Sequence, residues 1–391
     1  MKPDALLVDS GFSAAPLYHS MAQQGWEVGV VGNNPGAFLP QLTEHRHFID
    51  YSCEKRLADL VAGDAYTALV PGCTDASYMS CAKVAEASQF PGIDSIHNTE
   101  RLLSKAGFRE LCQELDLPTP ATFTQAQALE NTGALIVKPV DAYSGRGISE
   151  LPQGEPRALA SAIDKARAQS PTGRTVIEEF VSGCLFSSSV FIRDQRPVQS
   201  FLVEEVCSAG TYAVSTSRVI TDTPARQRLQ VEADLHKIAK HLGLVDGLLH
   251  VQWIEGDGAY WLIEMTRRCP GDLYARLIQL STGFNYAEAY VAPFIGAEFQ
   301  TMDADATDPL PVWRFTVRGQ PGHRLESLEF SSHRPVLEYH PLAATGGCID
   351  DSGRAGILFC KGPEGGHAMG SAEEEHRASY HIVDRKPGMA L

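Results

Sequence analysis

The chain has 391 residues, enough for two or three globular units at roughly 150 residues each. With 43% hydrophobic and 21% charged residues, Gly 34 and Pro 23, its composition is that of an ordinary globular protein and excludes disordered and fibrous classes. Against 48 Asp+Glu stand 33 Lys+Arg, and the resulting −15 disfavours nucleic acid and anionic membrane surfaces as partners.

Any site for a phosphorylated ligand must therefore rest on a few placed cations and backbone amides. The nine cysteines are scattered, odd in number and without C-x-x-C or Cys/His metal spacing, so they read as reduced thiols. The first residues lack the apolar core of a signal peptide, and no run approaches the roughly 20 apolar residues that span a bilayer. A cytoplasmic location is expected.

In chain order, a strand over 5–8, a loop, a helix to 24 and a strand over 28–31 predict a βαβ unit. A helix near 55–62, a strand over 68–70 and a helix over 76–88 continue it, giving a small parallel-sheet domain over 1–97. A dinucleotide fingerprint would need several glycines after the first strand; Gly11 stands alone in that loop, so no nicotinamide site is expected. One helix is predicted over 99–115, capped by Asn98 or Thr99.

Strands over 135–138, 147–150 and 175–180 with a helix over 155–169 follow, then strands over 185–192 and 198–206 and a long helix over 224–242. A hairpin, 248–254 against 259–265, turns at Gly256, Asp257 and Gly258. Past Gly296 short strands at 312–317 and 357–360 mark a β-rich segment, and 362–375 reads as a mobile loop. The fold class is thus α/β followed by α+β.

Three stretches carry chemistry. In the first, a strand delivers Lys138 beside Ser144-Gly145-Arg146-Gly147, where glycines let backbone N–H groups approach an anion and Arg146 adds charge; this suits phosphate, although the P-loop order is absent. In the second, a strand ends in Glu178 and Glu179, and carboxylates there can receive an amino or hydroxyl donor. In the third, the hairpin sets Gln252 opposite Glu264, with Thr266 and Arg268 following on one face. Such hard oxygen ligands suit Mg²⁺. Read singly, the first stretch is as readily an exposed hairpin, and the second reads better as a solvated strand edge.

In this order and spacing the three stretches, from about Thr99 to Gly296, resemble the ATP-grasp ligase superfamily, and 1–97 looks like the pre-ATP-grasp domain before it. The resemblance implies an ATP-grasp domain over 98–300 with a lid subdomain at about 121–182, and a β-rich segment over 301–391. It also implies ATP and Mg²⁺ or Mn²⁺ as cofactors, with Lys105 and Lys138 on the phosphates and Ser144, Gly145, Arg146 and Gly147 closing over them. Glu178 would lie near the adenine amine, completed by Glu179 or the backbone of Val181. Gln252, Glu264 and Thr266 would hold the metal. Three places depart from the pattern: Gln252 stands where a glutamate is usual, Thr266 where an asparagine is usual, and Gly183-Cys184-Leu185 after the hinge lacks the usual acid.

Arg268 followed by Pro270-Gly271-Asp272 looks most similar to the L-amino-acid ligase branch, which joins a carboxylate to an amine through an acyl phosphate. Arg268, with Arg267 beside it, is then the expected catalytic arginine. A small-molecule carboxylate and an amine are the implied partners, and a homodimer is common in the family. His250 reads more readily as a satisfied core histidine than as a substrate sensor. Two alternatives stay open: a bicarbonate-using or carbamoyl-phosphate-type enzyme, and a non-catalytic ATP-binding protein with a decayed metal site.

Overall fold

Short apolar strands flanked by helices build the N-terminal sheet. In this computed structural model the described residues are 4–64, 66–88, 90–141, 145–152, 155–208, 211–220, 226–302, 309–330, 334–362 and 379–386. Strand β1 (Ala5–Val8), helix α1 (Ala15–Gln23), strands β2 (Val28–Val31) and β3 (Arg46–His47), helix α2 (Glu54–Asp64), strand β4 (Ala68–Pro71) and helix α3 (Asp75–Ser88) form a parallel sheet of order β3-β2-β1-β4. All four residues of β1, β2 and β4 are buried, which is why these strands read as unbroken apolar runs and not as alternating ones. Strand order reverses between β1 and β4, so their carboxyl ends open a crevice.

The single helix predicted over 99–115 is two. Helix α4 (Ile96–Leu103) is capped by Ser95 and helix α5 (Lys105–Glu114) by Ser104, whose extended backbone breaks the run while its hydroxyl accepts from Gly107 N. The break makes Lys105 the first residue of a helix.

Strand β5 (Thr122–Phe123), helix α6 (Gln125–Glu130), strands β6 (Leu135–Pro139) and β7 (Ser149–Leu151), helix α7 (Pro156–Gln169) and strand β8 (Thr175–Glu179) form an antiparallel sheet of order β5-β8-β6-β7. Helix α7 lays Leu159, Ala162, Ile163 and Ala166, spaced i, i+3, i+4, i+7, onto Leu135, Val137 and Ile177. Each large apolar side chain buried there contributes about 1.5–3 kcal/mol.

Strands β9 (Cys184–Arg193), β10 (Arg196–Cys207) and β11 (Val214–Ile220), helix α8 (Arg226–Leu242), strands β12 (Gly247–Gly256) and β13 (Ala259–Thr266) and helices α9 (Tyr274–Thr282) and α10 (Tyr286–Val291) follow. The remainder is all β: β14 (Val312–Arg318), β15 (Arg324–Phe330), β16 (Val336–Pro341), β17 (Arg354–Lys361) and β18 (Tyr380–Arg385). The expected loop over 363–375 lies outside the described residues.

Two compact units divide the chain. The first, Met1–Phe201 with Pro224–Arg276 and Phe284–Ala306, holds the elements above through β9 and the antiparallel run β13-β12-β9. In the second, the end of β10 and strands β11, β14, β17 and β16 pair in that order, and Trp313, Phe315, Val317 and Leu358 make its core. β15 pairs with β18 beside a smaller cluster of Leu325, Ala343 and Ile349. No described helix is long and apolar enough to cross a membrane.

Candidate active site

Every described site residue picked out in the sequence falls in the first unit. On the β6–β8 ladder Ile136 faces Glu178, so Lys138, two residues on, shares Glu178's face as its diagonal neighbour. Lys138 Nζ donates to Glu178 Oε2 at 2.8 Å and Arg109 Nε to Oε1 at 2.8 Å, and the carboxylate is fully buried. Burial alone would push the Glu178 carboxyl up; the Lys138 ammonium and the Arg109 guanidinium outweigh it and hold it below the ordinary range.

Each oxygen of Glu178 is engaged by a cation, so the residue orients Lys138, a role the sequence reading did not assign to it. The hinge beyond it is backbone: Glu179 N donates to Ala121 O and Phe180 N to Ala134 O, while the Glu179 side chain accepts from Ala121 N at 3.3 Å. Val181 is half-buried. A Cβ on Gly183 would lie 2.0 Å from Glu255 O, so a glycine is needed where the chain leaving the hinge crosses the β12–β13 turn.

Arg109 also reaches β13. Gln252 pairs with Glu264 as the spacing predicts, but the next pair is Trp253 with Leu262, so Ile263 is an extra residue in a β-bulge. Arg109 Nη1 donates to Ile263 O at 2.8 Å, giving that bulged carbonyl a partner. One guanidinium therefore joins β8 to β13 next to Glu264. One turn before Arg109 on α5, Lys105 extends Nζ to Val140 O at 3.3 Å, at the end of β6. Lys105 and Lys138 thereby bracket the start of the glycine turn. Gly145 and Gly147 hold φ of 73° and 74°, left-handed values that suit glycine, and Arg146 is exposed. Ser144 lies outside the described residues.

Glu264 is exposed. Thr266 is buried; its hydroxyl donates to Asp75 Oδ1 at 3.1 Å and accepts from Arg268 N at 3.2 Å. That leaves Thr266 one lone pair, and its evident task is to hold Asp75 and Arg268. Among the described residues no three His, Cys, Asp or Glu side chains gather as a metal cage. One carboxylate, Glu264, facing one amide, Gln252, still fits Mg²⁺, which keeps several waters and relies on one or two carboxylates plus substrate phosphates.

Just past the end of β13 the two arginines take opposite paths. Arg268 Nε donates to Asp75 Oδ1 at 2.7 Å, its side chain 20% exposed; Asp75 keeps the guanidinium protonated against the opposing effect of burial. Arg267, expected beside it at the reacting centre, is instead buried. Its Nε donates to Asp94 Oδ2 at 2.6 Å, Nη1 to Leu248 O at 2.6 Å and Nη2 to Val245 O at 2.7 Å. It braces the fold.

His250 is the satisfied core histidine expected. Its Nδ1 meets Ser189 Oγ at 2.9 Å, Ser189 meets Tyr286 Oη at 3.0 Å, and burial, then the Arg268 charge, lower its pKa to about 3. Sequence reasoning missed Arg109, Asp75 and Asp94. Arg109 carried a signal, four residues after Lys105 and hence on the same helix face. The two aspartates carried none, because their partners lie 193 and 173 residues away.

No family model matches the chain. It is 27% identical over 188 residues to the carbamoyl phosphate synthase large chain of Deinococcus radiodurans, covering 45% of this chain and 18% of that one. It is 25% identical over 282 residues to the formate-dependent phosphoribosylglycinamide formyltransferase of a Janthinobacterium species, covering 67% and 68%. The chain thus spans about a fifth of the carbamoyl phosphate synthase it matches. Among solved structures, the L-amino acid ligase of Bacillus licheniformis superposes with a TM-score of 0.77 at 17% identity, covering 99% and 100% of the two chains. The phosphoribosylglycinamide synthetase of Anaerococcus prevotii gives 0.74 at 15% identity, covering 97% and 98%. These are ATP-grasp proteins, and the chain has the ATP-grasp fold.

Proposed function

We propose that the chain is an ATP-dependent carboxylate–amine ligase, joining a small carboxylic or amino acid to an amine, itself an amino acid, through an acyl phosphate with release of ADP and phosphate. The observation that carries this is the bridge from Arg109 to both Glu178 and Ile263, which sets the lysine-bearing strand and the Gln252–Glu264 pair on one support. The proposal keeps 1–97 as a pre-ATP-grasp domain, 98–300 as the ATP-grasp domain with a lid at about 121–182, and 301–391 as a small β-rich segment.

In this reading Lys138, held by Glu178, and Lys105 neutralise phosphoryl oxygens where charge develops. Gly145, Arg146 and Gly147 bring backbone amides and one cation over them, together with Ser144. Glu179 and the backbone of Val181 line the adenine. Gln252 and Glu264 hold Mg²⁺, which when bound supplies charge neutralisation on the transferring phosphoryl group. Arg268 stabilises the oxygens of the acyl phosphate and the acyl oxygen that becomes negative when the amine adds, with Thr266 and Asp75 fixing its direction. Closure over these groups keeps water from the activated acid.

The test is phosphate release from ATP and Mg²⁺ across amino acids, singly and in pairs, with mass analysis of products. Release only with a pair, and a condensed mass, supports the ligase. Dependence on bicarbonate moves the assignment to the carboxylating or carbamoyl-phosphate class, and tight ATP binding with no turnover under any condition rejects both.

A further inference from the structure

The chain between β6 and β7 carries the glycines at 145 and 147, and its described ends both rest on the last stretch of helix α7. Directly after β6, Val140 N donates to Arg174 O at 3.1 Å and Val140 O accepts from Lys105 Nζ at 3.3 Å, so both backbone groups of that residue are engaged. The Asp141 side chain then reaches the segment that joins α7 to β8. Its Oδ1 accepts from the Ser170 hydroxyl and its Oδ2 from Thr172 N at 3.1 Å. Ser170 Oγ accepts in turn from Arg174 N at 3.1 Å, and Gly173, at a φ of 67°, donates its N–H to Ser170 O at 3.0 Å. The segment is thus folded around one carboxylate.

The far end of the glycine turn meets the same helix. A Cβ on Gly147 would lie 2.8 Å from Gln169 Cβ, at the last residue of α7, and 2.9 Å from Pro139 Cγ, so glycine is required where the chain passes between α7 and β6. One residue on, Ile148 O accepts from Lys165 Nζ at 2.8 Å, again from α7. Helix α7 therefore supports both stems of the turn.

A carboxylate is a costly residue to place where phosphate is to bind, because like charges repel. Its bonds account for its presence. Desolvation raises the Asp141 carboxyl, and the Ser170 and Thr172 bonds outweigh it and hold the group below the ordinary range. Asp141 is then an anion whose two oxygens are both taken by the α7–β8 segment, and bonds to an ionised acceptor are stronger than those to a neutral one.

We propose that Asp141 is the positioning residue of the phosphate-binding turn, tying its first stem to the end of α7 so that Gly145, Arg146 and Gly147 are set for a nucleotide's phosphates. Asp141 itself touches no phosphate; it acts through Ser170 and Thr172. The assignment rests on the ATP-binding part of the ligase reading and is independent of which acid and amine are joined.

The experiment is calorimetric binding of ATP with Mg²⁺, and of adenosine, to the wild-type protein, Asp141→Asn, Asp141→Ala and the double variant Asp141→Ala with Ser170→Ala. Adenosine carries no phosphate, so together with the melting temperature it reports whether the rest of the site is intact. ATP affinity is expected to fall about tenfold or more in Asp141→Ala, the loss expected for bonds to a charged acceptor, while adenosine affinity stays within about twofold. Asp141→Asn should lose less, since its remaining oxygen still accepts from Ser170, and it carries the comparison if Asp141→Ala does not fold. Adding Ser170→Ala to Asp141→Ala should weaken ATP by under about threefold more, because the two changes remove one shared contact. Full ATP affinity in the Asp141 variants overturns the assignment, as does an equal loss of ATP and adenosine, the mark of a general structural role. A wild-type protein that binds no ATP overturns it together with the ligase reading. A phosphate-selective loss in a protein that turns over no pair of amino acids supports the assignment and rejects the ligase, so the two fail separately.

Discussion

Replacing Glu178 by glutamine keeps the shape of the side chain and one oxygen but removes the charge that two cations share. Each carboxylate oxygen accepts a bond at 2.8 Å, and the flanking Arg109 and Lys138 side chains are only 4% and 12% exposed. Hydrogen bonds to charged groups contribute about 1.5–3 kcal/mol each, and breaking one side of a buried ion pair costs about 3–5 kcal/mol. The glutamine amide also turns a donor toward a cation, so we expect a loss of about 3–5 kcal/mol at neutral pH. At about 2 °C per kcal/mol for a large domain, the melting temperature falls by roughly 6–10 °C.

The pH dependence has a definite sign. Because the folded carboxyl lies below its ordinary value of 4.5, its contribution is complete above that pH and is lost as pH falls through the folded value. The gap between wild type and Glu178→Gln should therefore be full at pH 7 and narrow below about pH 4.5. Scanning fluorimetry from pH 7 to 3.5 measures it. A gap under about 1 kcal/mol at pH 7, or one unchanged down to pH 3.5, would show that the buried triad does not stabilise the fold in this way.

Glu264→Ala should lower phosphate release about 10²–10³-fold while leaving the melting temperature within about 1 °C, since the side chain is exposed; near-normal turnover would remove the metal role from the hairpin. The neighbouring arginines should part company. Arg268→Lys is expected to lose about 10²–10³ in turnover with the protein folded, whereas Arg267→Met is expected to lose about 3 kcal/mol or more of stability by stranding Asp94; the reverse pattern would exchange their roles. With its pKa lowered to about 3, the His250 ring should show no titration by NMR between pH 8 and 4.5. Because the unfolded histidine takes a proton near pH 6.5 and the folded one does not, it removes stability as pH falls below that value; a ring midpoint above pH 5 would contradict the buried assignment. Gly183→Ala should weaken nucleotide binding, since its Cβ would strike the backbone of Glu255, and unchanged affinity would place the hinge elsewhere.

Much of this was legible in the chain because it depends on local pattern. Short unbroken apolar runs marked β1, β2 and β4 as parallel strands, and residue spacing alone paired Gln252 with Glu264 across the hairpin. Glycines at 145 and 147 announced a turn that needs left-handed backbone. The helix break at Ser104 was local too, but a serine inside an amphipathic run signals a cap only when the backbone there is extended.

What only the tertiary structure decided is which charge meets which. Arg267 and Arg268 are neighbours just past β13, and nothing local says which of them is buried; Asp94 and Asp75 make that choice from far along the chain. Likewise Glu178 and Lys138 were both visible as charged strand residues, but their union required the β6–β8 register and an arginine arriving from α5. Apolar periodicity is written into neighbouring residues because burial acts on each side chain separately. An ion pair is a property of two residues, and its second member is known only once the chain has folded.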